Sequence, residues 1–350
     1  MDIALPRLSV VHLRRRGGVV AALVAVAIFL ELAAGTGLAY LAGWSKVRTV
    51  LVGVNWVWLA VLTGALLISI VGYYYAYQGI FRVEGGPGLP RREMYAVVAA
   101  GFGGFLAHGG GALDQYALQT AGADEQQAKV RVAGLAGLEH GVMSIGGTAA
   151  AIIVLASGLG APPLDFSIPW AVLPIPGFLI GFWAAERYRG RLAGRTGWRG
   201  KGGTFLESIH VIRVLFAHPL KWGTAVCGMA LFWAADAFAA WAGLAAFGFQ
   251  MNGAQLFLGF ATGMIVTRRT GPLAGAGVLA LVLPLTIWVS GASFAVAIAG
   301  VFAYRMLALL LPLPLSLAAL STLRSMGDRP AAQAPESVAK KEPALRIKHR

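Results

Sequence analysis

Charge is missing from this chain in blocks long enough to cross a membrane. From Thr49 to Phe81 there are 33 consecutive residues without Asp, Glu, Lys or Arg. Phe166 to Ala185 supplies 20 more, and Met306 to Leu323 another 18. About 20 apolar residues at a rise of about 1.5 Å each cover the hydrocarbon core of a bilayer. A soluble protein can bury one such helix in its core, but not a series running along nearly the whole chain. In lipid the backbone must satisfy its own hydrogen bonds, so runs of this kind fold as helices. The fold class expected is therefore all-α, a polytopic integral membrane protein.

Three features of composition narrow this further. Glycine occurs 47 times in 350 residues, well above the usual share of about 7%, and small residues let membrane helices approach closely. The net charge of +14 is carried by tails and loops, which fits basic flanks beside anionic lipid rather than a nucleic-acid partner. The one cysteine, Cys227, lies in an apolar run, so no disulfide within the chain is expected. Arg14-Arg15-Arg16 and the apolar stretch after them mimic a signal peptide, but the stretch reaches about Gly43. That is too long for a signal core, and it reads as the first span.

Spans are expected at about 18–43, 50–77, 134–158, 168–186, 221–247 and 293–320, with two Gly-broken apolar segments at 94–121 and 253–290. The loop from Arg187 to Lys201 carries six basic residues and no acid, which places it in the cytoplasm by the positive-inside rule. It lands there only if 94–121 dips into the membrane and returns. The termini then also lie inside. Each half, about 18–158 and 168–323, reads span, span, re-entrant segment, span. Three crossings per half give the halves opposite orientation, an inverted repeat of the kind transporters use to hold substrate near the midplane. Residues 1–17 read as a basic cytoplasmic N-terminus, 204–217 as an interfacial amphipathic helix with Phe205, Ile209, Ile212 and Phe216 on one face, and 326–350 as a disordered basic tail.

The charges left inside the apolar regions are the candidate site. Between Trp222 and Tyr304 only Asp236, Arg268 and Arg269 are charged. A cation at membrane depth is tolerated facing a bundle interior or a wet cavity, and the Gly-Pro break after these arginines suits a cavity. Arg268 and Arg269 are expected to hold a phosphate or carboxylate, the competing reading being that they snorkel to the interface. Gly271, Pro272, Gly275 and Gly277 would open the backbone beside them, and exposed N–H groups there can bind an anion. Arg305 should sit near mid-depth with a carboxylate partner, either Asp236, Glu31 or Glu139. In the first half His108, Gly110, Asp114, Glu139 and His140 are candidates for a substrate contact or proton relay. Glu139-His140 reads as only a few residues into its span, and Asp114 as a helix-start acid. No metal-ligand spacing is present, and neither a metal nor a cofactor is expected. Tyr73-Tyr74-Tyr75, Trp44, Trp56 and Trp58 read as interfacial aromatics without chemistry.

The run Thr267-Arg-Arg-Thr-Gly-Pro-Leu-Ala-Gly-Ala-Gly-Val278, an apolar helix to Gly291, then Tyr304-Arg305 before a Leu/Pro-rich last span, resembles the flippase-like transmembrane region of the lysylphosphatidylglycerol synthase family. The resemblance extends loosely over residues 15–325. Two departures stand out: the first Gly-rich segment lacks the family's usual Pro and Arg, and Glu139-His140 stands where Glu-Arg is usual. The resemblance implies a stand-alone flippase-type module, without the soluble synthase domain, in the cell (plasma) membrane of a bacterium. It would translocate an anionic or aminoacylated phospholipid or lipid-linked headgroup, with membrane lipids as partners and a homo-oligomer allowed. The alternative is a membrane-embedded enzyme acting on a lipid phosphate or polyprenyl-linked glycan, with His108, Asp114, Glu139 and His140 in acid–base roles. No nucleophile–base constellation supports that alternative, so no catalytic residue is assigned.

Overall fold

The computed structural model describes residues 17–104, 111–192, 195–265 and 276–327, and all its regular structure there is helical. The first half comprises α1 (Gly17–Ala42), a short α2 (Trp44–Val52), α3 (Trp56–Arg82), α4 (Arg91–Gly104), α5 (Gly111–Thr120) and α6 (Glu125–Ala156). The second comprises α7 (Leu164–Val172) and α8 (Pro174–Leu192), then α9 (Gly197–Ala217), α10 (Pro219–Ala246), α11 (Gly253–Ile265), α12 (Val278–Val289), α13 (Phe294–Leu310) and α14 (Pro312–Gly327). Six helical stretches among the described residues are long and apolar enough to cross a membrane: α1, α3, α6, α7–α8, α10 and α13–α14. Large apolar side chains such as Phe29, Ile68, Ile153, Leu179, Ile180 and Leu281 point outward from the bundle, a surface that lipid covers and water would not tolerate.

Between the second and third spans of each half lies a pair of helices too short to cross alone. They have 14 and 10 residues in α4 and α5, and 13 and 12 in α11 and α12, where about 20 are needed. Each pair is followed by a glycine with positive φ, Gly122 at 99° and Gly291 at 119°, a conformation glycine adopts without steric cost. The contacts repeat as well as the order. The third span of each half packs on the short pair of the other: α6 on α11, and α14 on α4. Likewise α6 meets α7 where α13 meets α1, and α9 meets α6 where α2 meets α13. The expected duplication is thus visible as a set of paired interfaces.

At the centre α3 crosses α10, the most extensive helix–helix contact in the protein. Small residues make it possible. A Cβ on Gly72 would stand 2.6 Å from the backbone nitrogen of Phe232, and one on Gly228 would stand 2.7 Å from the carbonyl oxygen of Gly72. Backbone touches backbone here, the close approach that small residues permit between helices in lipid.

Several helix ends are set by local chemistry. Asn55 caps α3, its side chain accepting from the Val57 N–H at 3.0 Å, and Asp124 caps α6 by accepting from Gln127 at 2.7 Å. These caps correct two expected boundaries. The second span starts at Trp56 rather than near 50, because α2 is a separate short helix inside the same uncharged run. The third starts at Glu125 rather than 134. Its early basic residue Arg131 is accommodated by donating to the carbonyls of Phe81 at 3.0 Å and Val83 at 2.9 Å, which closes the end of α3. The interfacial helix is longer than expected and buries a different stripe, Ser208, Val211, Ile212 and Leu215, leaving Phe205 61% exposed. It packs on α8 and α6 together, so its buried face is set by two neighbours rather than by the apolar positions alone.

Candidate functional site

Two polar clusters lie inside the bundle, one in each half. In the second half Arg305, on α13, meets Glu31, on α1. The guanidinium donates from Nη2 at 2.7 Å and from Nε at 3.3 Å to the same oxygen, Oε1. Glu31 is 0% exposed and the Arg305 side chain 12%. The second carboxylate oxygen, Oε2, has no hydrogen-bond partner among the described residues. Of the three acids considered for Arg305, the ion pair forms with Glu31. One residue earlier, the Tyr304 hydroxyl donates to Asp236 Oδ2 at 3.0 Å. Asp236, Tyr304 and Arg305 line one cavity of about 80 Å³, closed by Ser69 on α3, Phe102 on α4 and Met264 on α11. A polar cavity of this size has room for several water molecules. It is walled by helices of both halves.

In the first half the acids are sealed instead. The Tyr73 hydroxyl donates to Glu139 Oε2 at 3.1 Å, and Tyr77 donates to Asp114 Oδ2 at 2.8 Å. Spaced four apart on α3, the two tyrosines share a helix face, their ring centres 5.0 Å apart. The rings of Phe102 and Phe232 pack on Tyr73 from two sides. Trp233 donates to the Glu139 carbonyl at 2.8 Å, tying α10 to α6. Desolvating a carboxylate is costly unless it receives donors, and each tyrosine supplies one, to a single oxygen of its acid.

The sequence candidates therefore fall into three groups. Arg305 and Asp236 share the cavity. Glu139 and Asp114 lie in the sealed cluster; Asp114 is at a helix start as the sequence suggested, whereas Glu139 is not at headgroup level. Because α6 begins nine residues earlier than expected, Glu139 is deep in its helix and buried rather than at headgroup level. Asp114 stands in the first turn of α5 but is fully buried and held by Tyr77. His140 has its Nδ1 2.8 Å from the carbonyl of Ala136 one turn earlier, and an oxygen acceptor there means that Nδ1 carries the proton. Gly277 has φ of 80° and precedes α12, facing Leu30 of α1. His108, Gly110, Arg268, Arg269, Gly271, Pro272 and Gly275 lie outside the described residues.

Sequence reasoning missed the tyrosines. Tyr73 was taken for an interfacial aromatic, yet it is among the most deeply buried side chains. Tyr77 and Tyr304 are equally buried. A positional signal was available for Tyr304 alone, which stands well inside the apolar stretch Phe294–Leu323, where a hydroxyl has no headgroup to reach and needs an internal partner.

The chain matches no protein-family model, and no curated protein matches it. The fold and this site define it as a polytopic helical membrane protein with a duplicated core and an ion pair buried between the halves.

Proposed function

We propose that this protein is a flippase-like translocator of an anionic or aminoacylated phospholipid or lipid-linked headgroup. The observation that carries the reading is the Arg305 guanidinium, held inside the bundle beside a cavity bounded by both halves. An arginine at membrane depth is costly and marks a polar pathway by default. The pair with Glu31 uses the Nε and Nη2 donors, and the Nη1 side of the five-donor guanidinium is what an incoming phosphate would meet. A phosphate accepts two parallel N–H bonds from arginine, stronger than a neutral contact. Inverted-repeat carriers expose such a site to either side by changing the relative tilt of their halves, and the same movement would admit a headgroup here. The basic segment Arg187–Lys201 would face the cytoplasm, as would both termini. The resemblance to the lysylphosphatidylglycerol synthase transmembrane region points the same way, without bearing on the particular lipid.

The test is reconstitution in liposomes with a labelled anionic phospholipid, following arrival in the opposite leaflet. Wild-type protein should accelerate the exchange. Arg305→Lys keeps the charge and loses the bidentate geometry, and should slow it about ten-fold or more. No acceleration by the folded wild type, or an unchanged rate in Arg305→Lys and in Glu31→Gln/Arg305→Gln, overturns the proposal.

A further inference from the structure

A second polar site lies where the basic segment meets the bundle. Between α5–α6 on one side and the end of α8 with α9 on the other is an open groove of about 710 Å³. Three cations line it, Lys129, Arg195 and Lys201, against one acid, Glu207. Gln126 occupies that acid, donating to Glu207 at 3.2 Å and to the Thr204 hydroxyl at 2.9 Å. Lys129 is engaged by Glu125 one turn earlier on the same helix. Among the described residues neither Arg195 nor Lys201 has a carboxylate partner. The groove thus holds more positive than negative charge, with Arg195 and Lys201 not paired to a carboxylate, while the Thr204 hydroxyl is spent on the Gly200 carbonyl at 3.2 Å and Gln115 of α5 completes the polar lining. Gln115 adjoins Asp114 of the sealed cluster, so the groove reaches the inner arm of the first short pair. It shares no lining residue with the Arg305 cavity.

We infer that this groove is a binding site for a phosphate ester, taken as the headgroup of an anionic phospholipid from the adjoining leaflet. A guanidinium and an ammonium facing an open groove supply the charged N–H donors that phosphate oxygens accept. The lipid source is favoured by the outer rim. Leu192 and Phe205 line the groove on its apolar side, and Phe205 and Trp198 of α9 are 61% and 78% exposed. Large side chains so placed on a basic helix lie in the acyl–headgroup boundary. A lipid bound there keeps its chains against Phe205 and its phosphate against Arg195 and Lys201. Because the site is separate from the Arg305 cavity, its occupancy does not depend on transport.

Binding is read by fluorescence anisotropy of dye-labelled phosphatidylglycerol titrated with the purified full-length protein in neutral detergent. Arg195→Gln/Lys201→Gln should weaken binding about ten-fold or more, with an unchanged melting temperature because both side chains are exposed. Arg187→Gln/Arg199→Gln removes the same charge from the same basic segment outside the groove, and should weaken binding less than about two-fold. Equal weakening by the two double variants means a diffuse basic surface and overturns the site, as does failure of the wild type to bind. Millimolar glycerol 3-phosphate is the competitor. Retention of the lipid means that the acyl chains contribute to binding and supports the lipid as its source. Displacement supports the groove as a phosphate-ester site but overturns the lipid as its source.

Discussion

The two halves of this protein share a backbone plan and use it oppositely. In both, the second span and the third span are tied by a tyrosine–carboxylate hydrogen bond. In the first half the second span supplies the tyrosine and the third the acid, Tyr73 to Glu139. In the second half the roles are exchanged, Tyr304 of the third span donating to Asp236 of the second. Tyr73 and Asp236 stand equally far from the first residues of their helices, Trp56 and Pro219. The first cluster is closed under aromatic rings, whereas the second opens on a cavity and adds an ion pair. Duplication places a polar contact at the same point of each half, and the side chains around it decide whether that contact is a strut or a site.

The comparison can be broken at its common axis. Gly72→Leu or Gly228→Leu puts a branched side chain where even a Cβ meets backbone under 3 Å away, and backbone cannot step aside. The crossing of α3 and α10 should fail in either variant, with little monodisperse protein surviving extraction when followed by size-exclusion chromatography. This is the largest effect expected.

The ion pair comes next. Glu31→Gln leaves Arg305 without its counter-charge inside the bundle and should cost about 3–5 kcal/mol, the usual loss when one partner of a buried pair is removed. Glu31→Gln/Arg305→Gln should recover much of that loss. Unfolding in mixed micelles measures both. A double variant as unstable as the single one would show that the pair is not an isolated unit.

The sharpest contrast is between the tyrosines. Tyr73→Phe removes a donor from a carboxylate with no access to water and should cost about 1–3 kcal/mol. Tyr304→Phe removes the equivalent donor where the cavity can admit water, and should cost about 1 kcal/mol or less, since a water can replace the bond. Its effect should instead fall on lipid exchange, with Tyr73→Phe the weaker of the two in that assay per unit of stability lost. Equal stability losses would mean that the two clusters are equally dry.

What could be seen in the sequence follows from what kind of signal each feature leaves. The six spans and two broken pairs were legible because lipid excludes charge, and the absence of charge is local information. Boundaries were less so. Thr49 to Phe81 is uncharged throughout, and only the Asn55 cap divides α2 from α3 inside it. The third span is expected only from about residue 134, but Arg131 lies inside α6, where two backbone carbonyls receive it. Arg305 was recognisable from its surroundings, but Glu31 is 274 positions away, and nothing in the spacing distinguishes it from Asp236 or Glu139. Tyr73 reads as interfacial because the aromatic belt explains most membrane tyrosines, and only depth in the assembled bundle separates it from that group; Tyr77 and Tyr304 carry no reading of their own.

One electrical consequence follows from the way Arg305 is held. A lone guanidinium moved across the full membrane potential exchanges about 2.3 kcal/mol with the field for every 100 mV. Joined to Glu31, it forms a dipole without net charge, on which the field exerts no net force along the membrane normal. The resting pair can thus be displaced as a unit without work against the membrane potential, and voltage acts on it only through its orientation.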